Sequence, residues 1–70
     1  MKMIPVDSSN IAAIGFDSET ETLRIEFNDG SIYEYFDVPN HVFEEFKGAE
    51  SKGKFGHKFI YKVYEQEKLR

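Results

Sequence analysis

The stretch FNDGSIYEYF, Phe27 to Phe36, decides the fold. A turn signal, Asn28-Asp29-Gly30, runs straight into Tyr33-Glu34-Tyr35, and alternate residues of a strand share a face. Just upstream, Thr22-Leu23-Arg24-Ile25-Glu26-Phe27 alternates strictly between polar and apolar, the signature of a strand with one buried face. Its inward set is Leu23, Ile25 and Phe27. The two segments pair as a hairpin, and the length of the loop fixes which way the tyrosines point. A two-residue Asp29-Gly30 turn pairs Phe27 with Ile32 and Ile25 with Glu34, burying a carboxylate and sending Tyr33 and Tyr35 to solvent. A three-residue loop with Gly30 left-handed pairs Phe27 with Ser31, Ile25 with Tyr33 and Leu23 with Tyr35. An unpartnered buried carboxylate costs several kcal/mol, whereas leaving Ile32 and Phe36 partly exposed forgoes about 1.5 to 3 kcal/mol each. The second register is therefore expected: the tyrosines face the core, and Ile32 and Phe36 mark the outer face.

Working outward from this hairpin, Ile11 to Phe16 is apolar and small, and Asp17-Ser18-Glu19-Thr20-Glu21 reads as a turn. A four-residue loop from Ser18 to Glu21 sets Asp17 opposite Thr22, Phe16 opposite Leu23, Ile14 opposite Ile25 and Ala12 opposite Phe27. Downstream, Asp37-Val38-Pro39-Asn40 closes the strand and opens a helix, since proline suits a first helical turn. Val42, Phe43, Phe46 and Ala49 follow at helical spacing. Beyond Gly48 and Gly53, the apolar residues Phe55, Phe59, Ile60, Val63 and Tyr64 repeat at i, i+4, i+5, i+8 and i+9, which predicts a second helix. The fold class expected is α+β: a three-stranded antiparallel meander (about 11–17, 22–28 and 31–37) with helices (about 39–48 and 55–65) packed on one face. The sheet brings Ile14, Phe16, Leu23, Ile25, Phe27, Tyr33 and Tyr35 to the expected core, and the helices bring Val42, Phe46 and Phe59. The chain reads as a single domain over 1–70, with 1–5 and 66–70 loosely ordered.

A chain of 70 residues is near the size at which one core only just stabilises a fold. With no cysteine it has neither disulfide nor thiolate ligand and must rely on apolar packing, for which seven Phe and four Tyr supply large areas. No apolar run approaches the ~20 residues of a membrane span, and Met1-Lys2-Met3-Ile4-Pro5 is too short for a signal peptide. The expectation is a cytoplasmic protein without membrane, metal or cofactor, a monomer or weak homodimer. The net charge of -4 conceals a segregation. Residues 1–46 hold Lys2 and Arg24 against ten acids, while residues 47–62 hold five lysines against Glu50 alone. A basic segment on an acidic body can bind an anion locally, although the field of the body opposes a long polyanion. A solvated lysine face is the plainer account of the same residues.

With these elements placed, the chain resembles the KTSC domain, a small family found alone in bacterial and phage proteins and at the C-terminus of some lysyl-tRNA synthetases. The matching positions begin with Val6, Ser8-Ser9, Ile11, Ile14-Gly15, Asp17, Thr20, Leu23, Ile25 and Phe27. They continue through Gly30, Tyr33-x-Tyr35, Val38-Pro39, Val42, Ala49, Ser51, Gly53 and Ile60, so the resemblance covers 6–60. Phe16, Phe43 and Phe55 stand where the family more often shows tyrosine, and Gly56-His57 where it usually shows Phe-Asn. The resemblance implies no established activity; attachment to a tRNA synthetase suggests RNA binding.

Catalysis has little support in the residues. Nucleophilic work needs Ser or Cys beside a positioned base, and metal work needs clustered His, Asp or Glu. His41 and His57 sit on different elements, local backbone hydrogen bonds account for Ser8-Ser9, and the glycines contain no phosphate-loop motif. Nucleic-acid binding would use Lys52, Lys54, His57, Lys58 and Lys62 for phosphates and Phe55 or Tyr61 as a ring for a base. A helix over 56–64 would align Lys54, Lys58 and Lys62 in one stripe. The competing reading is a protein partner seated on the outer face at Ile32 and Phe36, beside Ala13 and Gly15, or added to the open edges of the first and third strands. Met3-Ile4-Pro5-Val6 could instead fold back over that face.

Overall fold

The computed structural model describes residues 1–70. Five antiparallel strands form one sheet in chain order: β1 (Ile4–Pro5), β2 (Ile11–Asp17), β3 (Thr22–Phe27), β4 (Ile32–Tyr35) and β5 (Gln66–Lys68). Two helices, α1 (Asn40–Gly48) and α2 (Lys52–Phe59), intervene between β4 and β5. The expected three-stranded meander is present as β2, β3 and β4, and the sheet is larger by a strand at each edge. Residues 1–5 and 66–70, read from sequence as loose ends, contain these edge strands. The edges expected to be open on β2 and β4 are therefore occupied, with Ile4 and Pro5 paired to Ile14 and Ala13, and Gln66 to Lys68 paired along Tyr35 to Tyr33.

The β3–β4 hairpin has the three-residue loop. Phe27 N donates to Ser31 O at 2.8 Å, Gly30 N to Phe27 O at 2.9 Å, and Gly30 takes a φ of +92° that its missing Cβ makes inexpensive. Asp29 Oδ1 accepts from the Ser31 amide and hydroxyl, fixing the turn from within, and these two bonds hold its carboxyl below the usual carboxylate range. The register is Leu23 to Tyr35, Arg24 to Glu34, Ile25 to Tyr33 and Glu26 to Ile32. Glu34 lies on the outer face and meets Arg24 directly across the ladder.

Between β2 and β3 the pairs Asp17–Thr22, Phe16–Leu23 and Ile14–Ile25 also match the sequence reading. The last expected pair does not. A bulge shifts the register so that Ile11, not Ala12, faces Phe27. One extra residue reverses the facing of everything beyond it, and here it recovers Ile11 for the core, where the side chain is fully buried. On the outer face Gly15 is covered by the N-terminal segment: a Cβ there would meet Met3 Sδ at 2.6 Å and Lys2 O at 3.0 Å. The N-terminal segment thus runs beside β2 as an edge strand and folds over the outer face at Gly15, with its methionines reaching across that glycine.

The core is formed by Ile11, Ile14, Leu23, Ile25 and Tyr35 from the sheet, with Val38, Phe43, Phe46 and Ile60 from the helical side. Phe16 stacks on Phe43 with centroids 4.9 Å apart, and Phe46 stacks on Phe55 at 5.5 Å. Of the expected core, Phe16, Phe27, Tyr33 and Val42 are half-buried against this cluster. Phe59 is a correction, with 45% exposure, and the reason is where α2 stops. Both Ile60 N and Tyr61 N donate to Gly56 O, and Ile60 leaves helical geometry at φ -125°. Ile60 turns into the core, while Phe59 lies against Phe55 and Val63 is 60% exposed. The helix expected over 55–65 is thus replaced by an earlier, shorter one, started by Ser51, whose hydroxyl accepts from Lys54 N at 3.4 Å.

Candidate functional site

The helices leave part of the inner sheet face uncovered, and an open cavity of about 660 Å³ occupies it. Neither α1 nor α2 contributes a lining residue. Its apolar lining is Phe27, Tyr33, Tyr35 and Tyr61. Tyr33 and Tyr35 lie 6.5 Å apart at 23°, Tyr35 and Tyr61 6.0 Å apart at 28°, and Phe27 meets both Tyr33 and Tyr61 edge-on. The alternation of β4 brings its two tyrosines to one side, and the early end of α2 brings Tyr61 down beside them. Tyr35 is the interior member, at 2% exposure. Burial pushes its hydroxyl pKa far up, with the neighbouring Tyr61 and Tyr33 adding to the effect, and burial raises Tyr61 as well. The Tyr61 hydroxyl is buried and has no hydrogen-bond partner.

The rim is polar. Ser9 and Asn10 approach from the β1–β2 loop, Asn28, Asp29 and Ser31 from the β3–β4 turn, and Lys62 and Gln66 from the chain after α2. The loop and turn are tied together: Asn28 N donates to Asn10 O at 2.9 Å and Asn28 Nδ2 to Ser8 O at 3.3 Å. The Ser8 hydroxyl donates to Asn10 Oδ1 at 3.1 Å and accepts from Ile11 N, the local role expected of this serine. Two glycines permit close approach. A Cβ on Gly53 would sit 2.9 Å from Asn10 Oδ1, and one on Gly56 would sit 2.4 Å from Tyr61 Cζ. Gly56 is thus the surface on which the Tyr61 ring rests.

The sequence candidates divide accordingly. Tyr61 and Lys62 line the cavity, and His57 stands edge-on to Tyr61 with centroids 5.0 Å apart. Lys54 and Lys58 are exposed on α2, with Lys58 Nζ 5.3 Å from the Phe59 ring centre. Lys52 is occupied locally, its Nζ donating to Ala49 O at 3.1 Å. The expected lysine stripe is broken, because Lys62 lies beyond the end of α2. Ile32 and Phe36 are half-buried on the outer face, and His41 is exposed on α1. No group of three or more His, Cys, Asp or Glu residues is placed to hold a metal. No helix is long and apolar enough to cross a membrane.

Sequence reasoning missed Ser9, Asn10, Asn28, Ser31, Gln66 and the exposed part of Tyr33 as one site. The Asn28-Asp29-Gly30 turn was visible, but as geometry. Only the position of the helices shows that the inward face of Tyr33 is wet.

These features define a small α+β module with an antiparallel sheet, helices on one face and an aromatic cavity at their margin. The chain belongs to the KTSC domain family, whose model matches residues 7–64. It is similar to the lysine–tRNA ligase of Nostoc sp., with 45% identity over 67 residues that make up 96% of this chain and 12% of the ligase. The ligase of Trichormus variabilis is 43% identical over the same length, so the chain spans about an eighth of these relatives. A protein of Tsukamurella paurometabola, 43% identical over 53 residues, is instead covered for 79% of its length. The crystal structure of a KTSC domain protein from Yersinia pestis shares the fold with a TM-score of 0.93 and 34% identity, covering 99% of this chain and 97% of the other.

Proposed function

We propose that the chain is a nucleic-acid-binding module, with RNA as its partner. The observation that carries this reading is the placement of Lys62 on the rim of a tyrosine-lined cavity, with Lys54 and Lys58 exposed on the adjoining helix. Cations for phosphates beside aromatic rings for bases are the two elements that single-strand recognition combines. The likeness to lysine–tRNA ligases supports the same partner, because those proteins act on a tRNA and carry a segment similar to this chain. The reading describes a binding role without chemistry, in the cytoplasm.

Binding of this kind releases counterions and weakens steeply with added salt. Lys54→Glu, Lys58→Glu and Lys62→Glu together are expected to abolish binding of a labelled RNA while leaving the circular dichroism spectrum unchanged. Salt-insensitive or undetectable binding by the unmodified chain overturns the reading.

A second reading has its own observation. Both helices pack on one side of the sheet, and Ile32 and Phe36 stand half-buried on the other. A protein partner on that face is the alternative, and Ile32→Asp is expected to abolish it without unfolding the chain. Since β1 and β5 occupy the sheet edges, such a partner would use the face and not strand addition.

A further inference from the structure

We infer that the cavity seats one unstacked nucleobase, so that the module selects single-stranded over duplex nucleic acid; this deepens the nucleic-acid reading above and rests on it. A base inside a duplex has its faces covered by its neighbours and cannot enter a concave site without leaving the stack. The cavity is open at its mouth, and its rings Phe27, Tyr33 and Tyr61 can stack on the face of a base that has left its neighbours.

Charge and hydrogen-bonding capacity favour the base, not the phosphate, as the seated group. The cavity carries one cation, Lys62, and one carboxylate, Asp29, so a neutral occupant suits it better than an anion. Lys62 on the rim then meets the phosphate that stays outside. The amides are already oriented. Asn10 spends its carbonyl oxygen on the Ser8 hydroxyl, leaving Nδ2 as a donor, and Asn28 spends its Nδ2 on Ser8 O, leaving Oδ1 as an acceptor. Gln66 supplies a further donor and acceptor from β5. Base edges offer such alternating donors and acceptors.

The test uses the full chain with a fluorescein-labelled ten-nucleotide single-stranded RNA and the same strand annealed to its complement, at one fixed salt concentration. The single strand is expected to bind at least tenfold more tightly. Tyr33→Ala and Gln66→Ala are each expected to weaken single-strand binding, by about tenfold for the tyrosine as the loss of one stacked base implies, with duplex binding unmoved. Gln66 is exposed, so its variant keeps the test informative if Tyr33→Ala fails to fold. Equal binding of the two forms, untouched by either variant yet abolished by the lysine substitutions, overturns the base seat and leaves the nucleic-acid reading standing. Binding of neither form overturns both, and a protein segment becomes the occupant to seek.

Discussion

Arg24 and Glu34 face each other across β3 and β4, with Nε and Nη2 of the guanidinium both donating to Oε2 at 2.9 and 2.6 Å. The pair occupies the centre of the outer face, between Glu26 and Ile32 on one side and the first hairpin turn on the other. It explains why a carboxylate tolerates partial burial in the middle of the sheet. Arg24→Ala is expected to cost about 1 kcal/mol, the upper range for an ion pair that water still reaches. In a chain this small that lowers the melting temperature by about 4 to 8 °C, and calorimetry at low salt measures it. Added salt should shrink the difference between the variant and the parent.

The two tyrosines of β4 share a side of the sheet but not a role. Tyr35 is closed within the core, and Tyr35→Ala is expected to cost ~3 to 5 kcal/mol, enough to unfold a domain of marginal stability. Tyr33 already borders the open cavity, so Tyr33→Ala forgoes less apolar burial, about 1 to 2 kcal/mol. Urea titration of both variants checks the order, and a Tyr33 variant as unstable as the Tyr35 variant would show the cavity to be closed in solution.

Gly56→Ala pits two effects against each other. Alanine gains about 1 kcal/mol of helix propensity over glycine, but its Cβ would enter the space of the Tyr61 ring. The ring is expected to swing off the helix, leaving overall stability within about 1 kcal/mol of the parent. Loss of the Tyr61 ring-current effects on neighbouring protons reports the displacement.

The buried phenols predict alkaline sensitivity. The pKa of Tyr35 is higher in the folded chain than in the unfolded one, first because burial disfavours the phenolate and then because Tyr61 and Tyr33 lie close. Above about pH 10 the unfolded chain has lost this proton and the native chain has kept it. Stability therefore falls as pH rises through that region, by up to about 1.4 kcal/mol per pH unit for this group. Unfolding midpoints between pH 8 and 11 should show the fall, and Tyr35→Phe should flatten it.

The parts legible in the sequence were those where one residue made an alternative costly. Glu34 chose the register of β3 and β4, and Gly30 supplied the left-handed residue that the register needed. Nothing comparable marked Ala12. Ala12 and Ala13 are both small and apolar, so either can be the extra residue, and only the demand of Ile11 for burial settles the bulge. Strand β5 carries no apolar alternation, and its three residues are all exposed, so it is held by backbone pairing that composition does not reveal. The apolar spacing from Phe55 to Tyr64 is real, yet the chain spends Ile60 on the core and turns there. The cavity depends on where two helices end, a tertiary property with no local signal. Tyr61 and Lys62 were found through their chemistry; the amides opposite them were not.

The two borders of the sheet have a further consequence. One is a two-residue strand containing Pro5, which has no amide hydrogen to offer, and the other is the short, fully exposed Gln66-Glu67-Lys68. Brevity, proline and charge are devices that keep a sheet from templating its own aggregation. A chain rich in phenylalanine and tyrosine, with little stability to spare, would otherwise present β2 or β4 as a ready seed for fibril growth. Removing residues 1–6 or 65–70 should therefore do more than loosen the fold: it should turn a dispersed protein into one that precipitates on standing.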